Sequence, residues 1–145
     1  MAMVAASHEE VGVLGVDDQP FFLDVVREVV TATAGFRWLG GASSGEDALG
    51  AVEELHPALV LLDVRMPGMD GLATARRIRD RHPDVVVVLV SVELSAATAR
   101  AVKASGAAVL VRKQEFGPSA LRRLWRAHAG SAGKPSADPG PAAGS

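Results

Sequence analysis

The sequence predicts an α/β domain built on a doubly wound, five-stranded parallel sheet with helices on both faces. Two observations carry that expectation. Short apolar runs alternate five times with segments of helical period, joined by short turns. One of those runs, VVVVLVS (Val85 to Ser91), is almost wholly β-branched, the composition of a central parallel strand buried on both faces.

VGVLGV (Val11 to Val16) has strand length, and Pro20 sits where the first turn of a helix accepts proline. Phe21, Phe22, Val25, Val26, Val29 and Val30 then recur in adjacent pairs at i, i+4 and i+8, with Asp24, Arg27 and Glu28 on the other face of an amphipathic helix. Both phenylalanines read as core. FRWLGGA supplies a weaker second strand, and Ser44 with Asp47 three residues on has the pattern of a capping box. The helix it opens runs through Leu55 and ends at His56-Pro57. LVLLD (Leu59 to Asp63) is the third strand. Asp70 reads as the N-cap of a helix from about Gly71 to Arg81, which Pro83 bars from continuing. Ser95 can cap a fourth helix ending near Gly106, and AVLVRK gives the fifth strand. After Gly117-Pro118, Leu121, Leu124 and Trp125 mark one face of a last helix, and Arg122, Arg123 and Arg126 the other, read as solvated.

At 145 residues the chain suits one ordinary domain. Its expected limits are 11–129, with an N-terminal extension over 1–10. The last segment, 130–145, is rich in Gly, Pro, Ala and Ser and reads as a flexible tail or a truncated linker. A net charge of -2 offers no electrostatic footprint for nucleic acid or an anionic membrane, so direct DNA contact by this chain is not expected. The longest apolar run, Val85 to Val90, falls far short of the ~20 residues that span a bilayer. There is no cysteine and no secretory signal pattern, which fits a cytoplasmic protein. The four histidines, His8, His56, His82 and His128, sit in expected termini or turns and receive no chemical role.

In doubly wound sheets the ligand crevice lies at the carboxyl ends of the strands. There the sequence offers Asp17 and Asp18 after the first strand, Asp63 on the third, Ser91 on the fourth and Lys113 on the fifth. With strand order 2-1-3-4-5 the first and third strands are neighbours, and three carboxylates converge. Two carboxylates ~4 Å apart repel by ~4 kcal/mol at an effective dielectric of about 20, so three cannot all stay ionised without a counter-charge. Oxygen-only ligands suit a hard cation such as Mg²⁺, and Mn²⁺ would serve as well. Lys113 is then a point charge able to pair with Asp63 or with an anion on it, and the Ser91 hydroxyl a donor to that anion. Together these residues describe a carboxylate nucleophile prepared for phosphoryl transfer. A single Asp after a strand is usually only a cap or turn residue; the combination is what points to chemistry.

With DD, D, S and K at the ends of their expected strands, and DVRMPGMDG after the third, the chain resembles the receiver domain of two-component response regulators over roughly Val11 to Ala129. The resemblance implies a flavodoxin-like fold and a sensor histidine kinase as partner. It implies that Asp63 is the phosphoacceptor, and that Asp18 and Asp63 bind Mg²⁺ with the Arg65 backbone carbonyl while Asp17 acts through water. Ser91 would be the hydroxyl switch and Lys113 the partner of the phosphoryl group. On this reading the chain is a signalling phosphoacceptor, not an enzyme. The last two helices are the first candidates for a homodimer surface, and any DNA binding would belong to an output domain outside this chain.

Three positions depart from the family pattern. Leu110 stands where an aromatic switch is usual, Gln114 where a proline follows the lysine, and Val92 where a small residue follows the switch serine. They give standing to an alternative, a pseudo-receiver that binds partners without being switched by phosphate. Two other classes fit less well. An aspartyl phosphohydrolase wants an acid two residues after its nucleophile, where this chain has Arg65, and an FMN carrier wants a phosphate cradle that the loop DDQP lacks.

Overall fold

Each of the five apolar runs forms a strand in the computed structural model of the chain, which describes residues 10–129 except Pro67 and Leu94. The strands are β1 (Val11–Val16), β2 (Phe36–Ala42), β3 (Leu59–Asp63), β4 (Val86–Ser91) and β5 (Val109–Arg112). The helices are α1 (Pro20–Ala32), α2 (Gly45–Leu55), α3 (Gly71–Arg81), α4 (Ala96–Ser105) and α5 (Pro118–His128). The segments read as an N-terminal extension, apart from Glu10, and as a tail or linker over 130–145 lie outside the described residues.

All pairings are parallel and the strand order is β2-β1-β3-β4-β5. Because side chains alternate across a strand, each strand feeds two cores. Leu14, Val60, Leu62, Val87 and Leu89 pack beneath α2, α3 and α4, with Ala48, Val52, Ala75, Ile78 and Val102. Val13, Leu59, Leu61, Val86, Val88 and Val90 face the other way, against α1 and α5, with Phe22, Val26, Val30, Phe116 and Leu121. The four aliphatic residues of β3 are each at most 1% exposed. Burying each contributes roughly 1.5–3 kcal/mol, which anchors the strand firmly enough to carry a desolvated carboxylate at its end.

The caps form much as their residue types dictate. Oγ of Ser44 accepts from the Asp47 N–H (3.1 Å), but the carboxylate of Asp47 meets the Ser43 hydroxyl (3.4 Å), so only half of the expected capping box is made. Asp70 Oδ1 accepts from the Ala73 N–H (2.9 Å) and Ser95 Oγ from the Thr98 N–H (3.1 Å), opening α3 and α4.

Three expectations need correction. Phe21 is not core: it is 78% exposed, whereas Phe22, Val26 and Val30 are buried. At the start of α1 the sheet-facing side is made by Phe22 and by Leu23, whose side chain lies against Gly15 of β1 and Gly41 of β2, and Phe21 falls outside it. The fourth strand begins at Val86, because the Val85 N–H turns back to the His82 carbonyl (3.0 Å). The fifth ends at Arg112, and Lys113 opens a single 3₁₀ turn, Lys113–Glu115, closed by the Phe116 N–H on the Lys113 carbonyl (3.2 Å).

One close approach bears on function. The Gly71 N–H donates to the Val64 carbonyl (2.9 Å), drawing the start of α3 against the end of β3. A Cβ on Gly71 would collide with the carbonyl oxygen of Asp63 and lie 2.7 Å from the Val64 Cα. Both atoms are backbone and cannot rotate away. Gly71→Ala is expected to destabilise the fold by ~1–3 kcal/mol, checked by urea denaturation.

Candidate functional site

At the carboxyl rim, β1 delivers Asp17, which is 1% exposed and tied to β2 by its N–H to the Ala42 carbonyl (3.0 Å). Its Oδ1 accepts from the Gln19 N–H (2.8 Å). Its buried Oδ2 accepts no further hydrogen bond of good geometry but faces Lys113 Nζ at 2.6 Å. Asp18, the next residue, is exposed. Asp63 closes β3 and is 6% exposed; its Oδ1 accepts from the Arg65 N–H (3.3 Å) and its Oδ2 lies 3.6 Å from Lys113 Nζ. Oxygen atoms of Asp17, Asp18 and Asp63 all lie within 4.8 Å of one another.

Lys113 enters from the 3₁₀ turn. Its ammonium sits 4.7 Å above the ring of Phe22, which meets Phe116 edge-on at 6.5 Å. The aromatic face thus supports the cation from one side while two carboxylates hold it from the other. Ser91 is buried at the end of β4, and its Oγ accepts from the Glu93 N–H (3.2 Å), leaving the hydroxyl proton available to donate.

The charges do not balance. Three carboxylates face one ammonium, leaving two negative charges uncompensated at the rim. The strain appears on Asp63, whose carboxyl is pushed up from 3.8 to about 6, chiefly by burial and then by the charge of Asp17, with Lys113 pulling the other way. An oxygen-only donor set with that deficit fits a divalent hard cation.

Sequence reasoning placed these five side chains at strand ends, and the structure brings the three acids and Lys113 together. It missed that Lys113 lies nearer Asp17 than Asp63, and that Phe22 lies beneath it. The signal for Phe22 was present in its phase with Val26 and Val30, but that phase alone could not say which end of the helix reaches the rim.

The family model for the response regulator receiver domain matches residues 13–125. The chain belongs to that family. Among curated relatives, this receiver domain is 38% identical over 116 residues to the positive alginate biosynthesis regulatory protein of Pseudomonas aeruginosa, covering 79% of this chain and 47% of that protein. It is 38% identical over 109 residues to a protein-glutamate methylesterase/protein-glutamine glutaminase of Hahella chejuensis, covering 74% of this chain and 31% of that one. The chain thus spans less than half the length of these relatives. Among solved structures, the signal receiver domain of NarL from Mycobacterium tuberculosis superposes with a TM-score of 0.77 at 29% identity, covering 84% of this chain and 98% of that one. The response regulator domain of Thermotoga maritima CheB gives 0.72 at 25% identity, covering 81% and 96%.

The raised Asp63 value sets a pH dependence. Between 3.8 and about 6 the folded chain keeps a proton that the unfolded chain has lost, so the metal-free receiver domain loses stability as pH rises through that window. Asp63→Asn removes the charge and is expected to raise Tm by ~4 °C at neutral pH in chelator, a gain of ~1 kcal/mol that vanishes below about pH 4. Thermal scans of both proteins across pH check it; equal Tm values at neutral pH would count against the charge imbalance. Added Mg²⁺ should reverse the order by stabilising the wild type more than the variant.

Proposed function

We propose that Asp63 accepts a phosphoryl group from the phosphohistidine of a sensor histidine kinase, and that the modified domain presents a changed surface to its partners. The observation that carries this reading is the buried carboxylate of Asp63 set among Asp17, Asp18 and Lys113 at the rim of the sheet.

Asp18 and Asp63, with the Arg65 backbone carbonyl, are the ligands expected to hold Mg²⁺ or Mn²⁺, and Asp17 would act through water. The ion supplies charge neutralisation for the incoming phosphoryl group. The remaining steps belong to the chain. An oxygen of ionised Asp63 attacks phosphorus in line, forming the P–O bond as the P–N bond breaks, and the electron pair leaves on the imidazole. The new group lies beside Lys113, whose ammonium already contacts both Asp17 and Asp63 and can shift its pairing to a phosphoryl oxygen. Ser91 can donate its hydroxyl while still accepting from the Glu93 N–H. Drawing Ser91 and Lys113 inward biases the loops that follow β4 and β5, which is the local event a surface change needs.

Because the chosen chemistry belongs to phosphohistidine signalling, we place the protein in the cytoplasm. No helix among the described residues is long and apolar enough to cross a membrane. Reading of DNA, if the full protein performs it, would fall to an output domain.

Incubation with acetyl phosphate and Mg²⁺ is expected to add one phosphoryl group to the wild type and none to Asp63→Asn, as read by intact mass. Stoichiometric labelling of the variant would refute the assignment of Asp63.

A further inference from the structure

β4 and β5 stay paired as far as Ser91 and Arg112, where the ladder between the two strands ends. On the β5 side the chain is well held. Phe116 is buried against Phe22, the 3₁₀ turn closes on the Lys113 carbonyl, and the Lys113 ammonium rests over the Phe22 ring. On the β4 side the described residues after Ser91 face solvent: Val92 is 59% exposed and Glu93 is exposed, with the Glu93 N–H donating back to Ser91 Oγ. The side chain of Gln114 crosses the gap, its Nε2 donating to the Val92 carbonyl at 3.2 Å. Each end of this bond is one residue from a site side chain: Val92 follows Ser91, and Gln114 follows Lys113.

We infer that Gln114 is a positioning residue that ties the Ser91 turn to the Lys113 turn, so that hydroxyl and ammonium close together on a phosphoryl group carried by Asp63. The inference rests on the phosphoacceptor reading and adds the route by which the two loops are coupled. A proline at this position has no side-chain donor and could not make the contact. Leu110, half-buried against the core beneath α4, has neither a ring nor a polar tip with which to report on Ser91. Gln114 touches no reacting atom and acts through the Val92 carbonyl. When the tie is lost, the Ser91 turn is free to swing away, water reaches the acyl phosphate more often, and hydrolysis quickens.

The test uses the full chain with Gln114 replaced by Ala, Met or Glu, three substitutions at an exposed position so that the result does not hang on one variant. Met and Glu keep the length of the side chain but cannot donate to a carbonyl. After labelling with acetyl phosphate and removal of the donor, all three are expected to lose the phosphoryl group about two- to tenfold faster than the wild type, the range one exposed hydrogen bond supports. In a Ser91→Ala background the same substitutions should produce no further acceleration, because the hydroxyl they position is gone. A merely structural role would give the same acceleration in both backgrounds. Unchanged decay in Gln114→Met, or equal acceleration with and without Ser91, would overturn the inference while leaving the phosphoacceptor reading intact. A wild type that takes no phosphoryl group would overturn both, and is told apart by the absence of any labelled species to follow.

Discussion

Repulsion among three carboxylates held within 4.8 Å, against a single ammonium, is the constraint around which the rest of this domain is arranged. Left in water these groups would separate. They are kept together because two rigid strands, β1 and β3, end side by side, with Val16 paired to Leu62 one residue before Asp17 on one strand and Asp63 on the other. The aliphatic burial of β3 supplies the anchoring, and the raised carboxyl of Asp63 reflects first its burial and then the charge of Asp17. A site under such tension responds strongly to any added positive charge or to conversion of a carboxylate into a different anion, which is the property a switch requires.

Lys113 is the counterweight, and its placement explains much of the surrounding packing. Its ammonium is bounded by Asp17, by Asp63 and by the face of Phe22, with Phe116 braced against that ring. The exposed neighbour Phe21 takes no part in this support. The cation is therefore fixed in position, while Val92 and Glu93, the residues that follow Ser91, face solvent. Gln114 and Val92 meet at that junction, through the Gln114 Nε2 bond to the Val92 carbonyl, while Leu110 lies further back in β5, paired with Leu89.

The order of elements, their caps and nearly all their limits were legible in the linear chain. Apolar runs of strand length and periodic helical stretches depend on local spacing, and Ser44, Asp70 and Ser95 cap through bonds that reach only three residues ahead. The start of the fourth strand was decided locally, by the Val85 N–H turning back to the His82 carbonyl; the other errors fell where a contact between distant segments decided the outcome. Phe21 and Phe22 are equally apolar, and only the lie of α1 across the sheet buries one and exposes the other. Lys113 follows the fifth apolar run directly after Arg112 yet lies outside the strand, in the 3₁₀ turn that leads to Phe116 beside Phe22.

By itself the sequence determined the fold class, the strand-end positions of Asp17, Asp18, Asp63, Ser91 and Lys113, and the hardness of any cation they attract, since these follow from residue type and period. Tertiary structure alone decided which acid Lys113 contacts most closely, which aromatic ring supports it, and that Gln114 spans two loops. Those are distances between segments far apart in the chain, and no local periodicity encodes them.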